Sequence, residues 1–193
     1  TKRPSKTGAV TGSVIGGIGS NKKLAGANVQ TDVLNVGYKK TWNKDFNDAV
    51  LPGNTGLGTA INIKDKSSDQ FYLDAQLAKD LTFSWGRNHS EVKYQTGSYK
   101  NFVPVMNKLS QYNSTYNSYA LAYDNKNAGW KAVLGYNTMD LSCLPLKGGS
   151  YSKYDGYNAN FDLQKKFNLK NNDSLIFGVN VNRESMETQT TVF

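Results

Sequence analysis

The chain reads as an all-β fold: an antiparallel up-and-down transmembrane β-barrel, present in part as about nine strands. Three observations predict it. Short runs alternate apolar and polar residues, so each strand has one face suited to lipid and one suited to water. Trp42, Trp85, Tyr123, Trp130, Tyr136 and Tyr157 stand near the ends of apolar stripes, where amphipathic rings suit a membrane interface. Tight polar turns are set against longer irregular connections, roughly 88–118 and 137–156, the asymmetry of barrels with short periplasmic turns and long external loops.

The alternation predicts strands at 8–18, 28–42, 57–64, 70–78, 81–92, 117–124, 130–137, 157–166 and 175–183. In the first, glycines are spaced among Val10, Val14 and Ile18, as where backbone passes close to another element. Phe71, Leu73, Ala75 and Leu77 share one parity, turn at Lys79-Asp80, and return as Leu81, Phe83 and Trp85. Tyr119, Leu121 and Tyr123 turn through 124–129 into Trp130, Ala132, Leu134 and Tyr136. The clearest hairpin carries Tyr157, Ala159, Phe161 and Leu163 on one side. It turns at 168–173 and returns as Leu175, Phe177, Val179 and Val181.

Two features strain this pattern. The parity of Trp85 carried forward sends Arg87, His89 and Glu91 toward lipid, and an Arg at the bilayer midplane costs roughly 2–4 kcal/mol. A β-bulge near Gly86 would reverse the register and relieve that cost. The alternation of turn lengths also fails upstream: 43–56 is long where a short turn belongs, and 65–69 is short where a long loop belongs.

Composition permits the barrel. The 193 residues are 38% hydrophobic with mean hydropathy −0.59, and they contain no helical membrane span. Polar lumen residues dilute the apolar ones in a barrel, so a polar average does not exclude the membrane. The net charge of +8 raises nucleic acid as a partner, but Lys22-Lys23, Lys39-Lys40 and Lys165-Lys166 are scattered at or near strand ends. Such pairs read as a solvated rim, and no nucleic acid is expected.

No catalytic, cofactor-binding or metal-ligating set emerges. The lone Cys143 forms no internal disulfide and has no base nearby in sequence, and the lone His89 cannot build a His/Cys cluster. Gly16-Gly17-Ile18-Gly19 lacks the Gly-Lys-Ser/Thr ending of a phosphate loop. Residues 43–48 lack the ligand spacing, central Gly and closing Glu of a calcium loop. A non-enzymatic protein is expected. A soluble β-sandwich binding module is the alternative fold, because its strands alternate as well.

The N-terminus points to a family. Thr1-Lys2-Arg3-Pro4, followed by Thr7-Gly8-Ala9-Val10-Thr11-Gly12-Ser13-Val14, resembles the junction in TonB-dependent outer-membrane receptors where the plug ends and the first barrel strand begins. The resemblance implies that residues 1–7 end this junction and that 8–193 form a partial barrel domain, the beginning of a barrel of about 22 strands. It implies a place in the cell outer membrane and energised uptake of a scarce solute such as an iron-siderophore, haem or cobalamin. The implied partners are outer-membrane lipid, that small-molecule ligand, and a TonB energising complex acting through the plug region. Tyr99, Phe102, Tyr112, Tyr151 and Tyr154, in the predicted external loops, are the ligand-contact candidates, since Tyr pairs a broad apolar ring with a polar tip. A passive porin would share the hairpins and polar lumen but have no plug.

Overall fold

The computed structural model describes residues 8–46, 59–100, 103–106, 109–145, 150–169 and 173–192. These hold strands β1 (Thr11–Ile18), β2 (Lys22–Gln30), β3 (Leu34–Phe46), β4 (Thr59–Ala78), β5 (Leu81–Lys100), β6 (Val103–Met106), β7 (Ser110–Asn125), β8 (Trp130–Pro145), β9 (Ser150–Asn168) and β10 (Ser174–Val192). All belong to one antiparallel sheet in the order β1-β2-β3-β4-β5-β7-β8-β9-β10, with the short β6 attached to the far end of β5. The fold is therefore an all-β up-and-down meander of nine strands. β1 and β10 are its two open edges, and the sheet is not closed on itself. The two packed layers of a sandwich are not present among the described strands.

Two strand boundaries differ from expectation, and both have a local cause. The predicted strand 28–42 is two strands. Thr31 breaks it by accepting hydrogen bonds at Oγ1 from the amides of Val33 (3.3 Å) and Leu34 (3.0 Å) and donating its own amide to the Leu34 carbonyl (2.7 Å). Across this side-chain-to-backbone turn the apolar parity passes from odd positions, Ala27 and Val29, to even ones, Leu34, Val36 and Tyr38, with Val29 opposite Val36. Conversely, the predicted strands 57–64 and 70–78 are one strand, β4. The polar stretch between them stays extended because it is paired on both sides: Asp65 lies opposite Lys44 and Lys93, and Asp69 opposite Lys40 and His89. Opposite charges facing one another across strands favour that ladder.

With these corrections the two long connections fall at one end of the sheet. The other end has connections of two to five residues, 31–33, 79–80, 126–129 and 169–173. The end with the long connections after β3 and β5 also has the three-residue connection 19–21 and the four-residue connection 146–149. The upstream misfit disappears because its two strand assignments were wrong in compensating ways.

The predicted excursions 88–118 and 137–156 are also corrected. β5 continues to Lys100, β7 starts at Ser110, β8 continues to Pro145 and β9 starts at Ser150. In these extensions the apolar residues change parity, to Val92 and Tyr94 of β5, Tyr112 and Tyr116 of β7, and Met139, Leu141 and Cys143 of β8, so the hydrophobic period of the inner halves does not carry through while the backbone ladder persists. The bulge proposed at Gly86 is absent: pairing of β5 with β4 and with β7 runs unbroken through that residue. The register shifts of β4 against β5 fall instead between Ile63 and Asp65 and between Gln76 and Ala78.

A single-layer sheet has no conventional core. No described side chain is less than 2% exposed, and the polar residues counted as buried are Asn35 and Ser114, each 7% exposed. Such a sheet needs a covering for its apolar face, since one-layer structures do not bury enough surface in water.

Candidate functional site: an apolar band and a concave polar face

The pairing registers assign every strand residue to one of two faces. On one face lie Leu34 and Val36 of β3, Leu73 and Ala75 of β4, Leu81 and Phe83 of β5, and Leu121 of β7. They continue into Ala132 and Leu134 of β8, Phe161 and Leu163 of β9, and Phe177, Val179 and Val181 of β10. This band faces outward and is uncovered: Leu134 is 55% exposed and Phe177 and Val179 are each 60% exposed.

Aromatic side chains bound the band at both levels. Toward the long-connection end, rings follow one another across five strands. Phe71 and Trp85 have centroids 4.7 Å apart, Trp85 and Tyr119 6.2 Å, Tyr119 and Tyr136 6.4 Å, and Tyr136 and Tyr157 6.0 Å. Toward the tight turns stand Tyr123, Trp130 and Phe167, with the Lys165 ammonium 4.9 Å from the Trp130 ring and 5.4 Å from the Phe167 ring. Six residue steps separate Trp130 from Tyr136, so the band measures roughly 20 Å along β8. Five of the six aromatics singled out in the sequence thus fall into these two rows. Trp42 stands apart, two pairs beyond the upper row and beside Lys40.

The band crosses the strands obliquely. The cross-strand row through Leu34, where the band begins on β3, reaches β10 at Val181, but on β10 the band begins six residues lower, at Leu175. Six residues at about 3.3 Å each, set against six strand spacings of about 4.8 Å, tilt the band by roughly 35°. That lies at the edge of the 35–45° range of strands in outer-membrane barrels.

Arg87, His89 and Glu91 keep the parity of Trp85, yet they do not lie within the band. Arg87 falls in the cross-strand row of Phe71 and Tyr157, and the others lie farther out. There they join a polar collar in which the His89 ring contacts Thr115 Oγ1 (2.8 Å), Asn117 donates to Thr138 (3.1 Å), and Glu91 meets Lys93 (3.5 Å). In the same collar Asp155 lies opposite Asp140 and accepts a hydrogen bond from Lys153 (2.6 Å). Lys153 followed by Asp140 holds the Asp155 carboxyl below the usual range. Burial, then the contact with Asp155, pushes Asp140 up.

The opposite face is concave and polar. An open trough of about 870 Å³ crosses it from β4 to β10, at the level just beyond the upper aromatic row. Tyr72 and Gln70, Tyr116, Asn137 and Met139, Asn158, and Glu184 with Met186 line it, while Gly86 and Gly156 form parts of its floor. Asn158 donates to Glu184 Oε1 (2.8 Å) and to Asn182 Oδ1 (2.9 Å), and Asn182 donates to the same Glu184 oxygen (2.9 Å). An added Cβ at Gly86 would meet nothing within 4 Å, whereas the Tyr72 ring lies where a Gly37 side chain would go. Its lining mixes amide, glycine, Tyr and Met positions of the polar parity, a mixture that gave no signal of the trough in the sequence.

Of the predicted contact residues, three have described side chains. Tyr112, Tyr151 and Tyr154 lie on β7 and β9, not in loops. Tyr112 and Tyr154 share the concave face, while Tyr151 is on the other. Tyr99 is paired with Pro104 through its backbone, its side chain lies outside the described residues, and so does Phe102. Cys143 is opposite Tyr112 and 3.3 Å from the Tyr94 hydroxyl. That contact, reinforced by burial, pushes the Tyr94 phenol up to about 12, and burial raises Tyr112 as well. Among the described residues no group of three or more His, Cys, Asp or Glu side chains is gathered for a metal ion. No family model, curated protein or solved structure matches this chain.

Proposed function

We propose that the chain forms part of the wall of an outer-membrane β-barrel, and that this barrel is a TonB-dependent receptor taking up a scarce solute. The observation that carries the membrane reading is the oblique apolar band between two aromatic rows on one face of a sheet whose other face is polar. Water would leave that band uncovered, and lipid covers it at no cost in hydrogen bonds, because each inner strand is paired on both sides. The open edges at β1 and β10 cannot remain unpaired in hydrocarbon, so further strands of the same barrel are expected to meet them. The long connections after β3 and β5 lie at one end and support reading that end as external and the other as periplasmic.

The receptor reading adds the resemblance of Thr1-Lys2-Arg3-Pro4 and the following strand to a plug-to-barrel junction. Uptake by cells carrying the full-length protein should require a functional TonB complex. Uptake that is unchanged in TonB-null cells, with steady ion conductance through the purified protein in planar bilayers, would identify a passive porin instead.

A further inference from the structure

We propose that the trough over Gly86 binds a neutral, hydroxyl-rich ring compound of the mono- and oligosaccharide class. The inference rests on the membrane reading in one respect: the concave face is then the lumen, and the trough lies near its outer mouth. Its volume of about 870 Å³ is within the usual span of small-molecule sites.

The lining selects the ligand class. Tyr72, Tyr116, Met139 and Met186 offer apolar surface of the kind that packs against the C–H faces of a sugar ring. Gln70, Asn88 and Asn137 each carry both a donor and an acceptor, which is what a hydroxyl requires of its neighbours, while the Asn158 amide is engaged with Asn182 and Glu184. Charge argues against anions. Arg87 and Glu184 are the charged residues of the lining, and Arg87 projects to the other face of the sheet. Glu184 adds a negative group steadied by two amides. Lys39 lies opposite Gln70 on the same face but is not part of the lining, so a phosphate, a carboxylate-rich iron chelate or a haem propionate meets no facing cation among the lining residues.

Gly86 supplies an independent observation. It has no positive φ, and an added Cβ there would meet no atom within 4 Å, so neither backbone conformation nor contact at the Cβ requires glycine. What glycine does at this position is keep the floor of the trough clear.

The test uses the full-length protein in detergent, titrated calorimetrically with maltotriose, triacetylchitotriose and ferric citrate. At least one of the saccharides should bind saturably and ferric citrate should not. Gly86→Leu and Asn137→Leu should each weaken saccharide binding by about ten-fold or more, with unfolding temperature and heat-modifiable gel mobility unchanged. Absence of binding by both saccharides, binding that survives both substitutions, or displacement by ferric citrate would overturn the site. So would a Gly86→Leu variant that loses stability without any saccharide effect, since the trough would then be filled by the protein itself. Heat-modifiable insertion without saccharide binding contradicts the site alone; saccharide binding by a protein that does not insert contradicts the membrane reading alone.

Discussion

Single residues in the collar beyond the apolar band respond to pH in opposite directions. Asp155 has its folded pKa lowered by Lys153, so its contribution to stability is present above the unfolded value near 4 and is lost as pH falls through the folded value. Asp140 has its folded pKa raised, so its contribution is present below the unfolded value and is lost as pH rises through the folded one. Asp140→Asn should therefore stabilise the protein at neutral pH, by less than about 1 kcal/mol after solvent screening, and the gain should vanish in acid. Asp155→Asn should destabilise at neutral pH and converge with the wild type in acid; unfolding temperature against pH checks both. Cys143→Ala removes the main cause of the high Tyr94 pKa, and an ultraviolet titration should show one phenol moving down from about 12. Gly129 closes the turn between β7 and β8 at φ 69°, with the Lys166 carbonyl where a Cβ would sit. Gly129→Ala should cost about 1–2 kcal/mol in denaturant unfolding.

At the scale of the element, the sequence was legible wherever one face of a strand is apolar. The hairpins β4–β5, β7–β8 and β9–β10 and their tight turns follow from parity alone, because a slip of one residue would send Leu121, Leu134 and Phe161 to the wrong face. Legibility ended where the apolar residues change parity. In the outer halves of β5, β7 and β8 they pass to the opposite face, as Val92, Tyr112, Met139, Leu141 and Cys143, while backbone pairing and polar contacts such as Ser90 with Ser114 (2.9 Å) keep the strands going without a break. The same cause produced the misplaced bulge at Gly86. Arg87 needed no reversal of register, because the strand had already passed the edge of the band. Leu134→Arg should accordingly cost about 2–4 kcal/mol on folding into vesicles, while Asn113→Arg, on the same face beyond the aromatic row, should cost about 0–1 kcal/mol. Equal costs at the two positions would deny that the band has an upper edge.

At the scale of the molecule, the sheet is a surface with two chemistries and no interior. Its cohesion comes from continuous antiparallel ladders, and what lies against its two faces must come from outside it. The trough belongs to this scale too: its lining comes from six strands far apart in sequence, and the sequence had no means of bringing Tyr72, Asn137 and Glu184 together. The measurement that bears most directly on the membrane reading is nitroxide accessibility in lipid vesicles. Labels would be placed one at a time on the full-length protein at Leu134 and Val179 in the band, at Asn113 in the collar, and at Asn160 on the concave face. On the membrane reading the two band positions are reached by oxygen and shielded from a water-soluble nickel chelate, with the opposite order at Asn113 and Asn160. Water exposure at Leu134 and Val179 equal to that at Asn113 would contradict it.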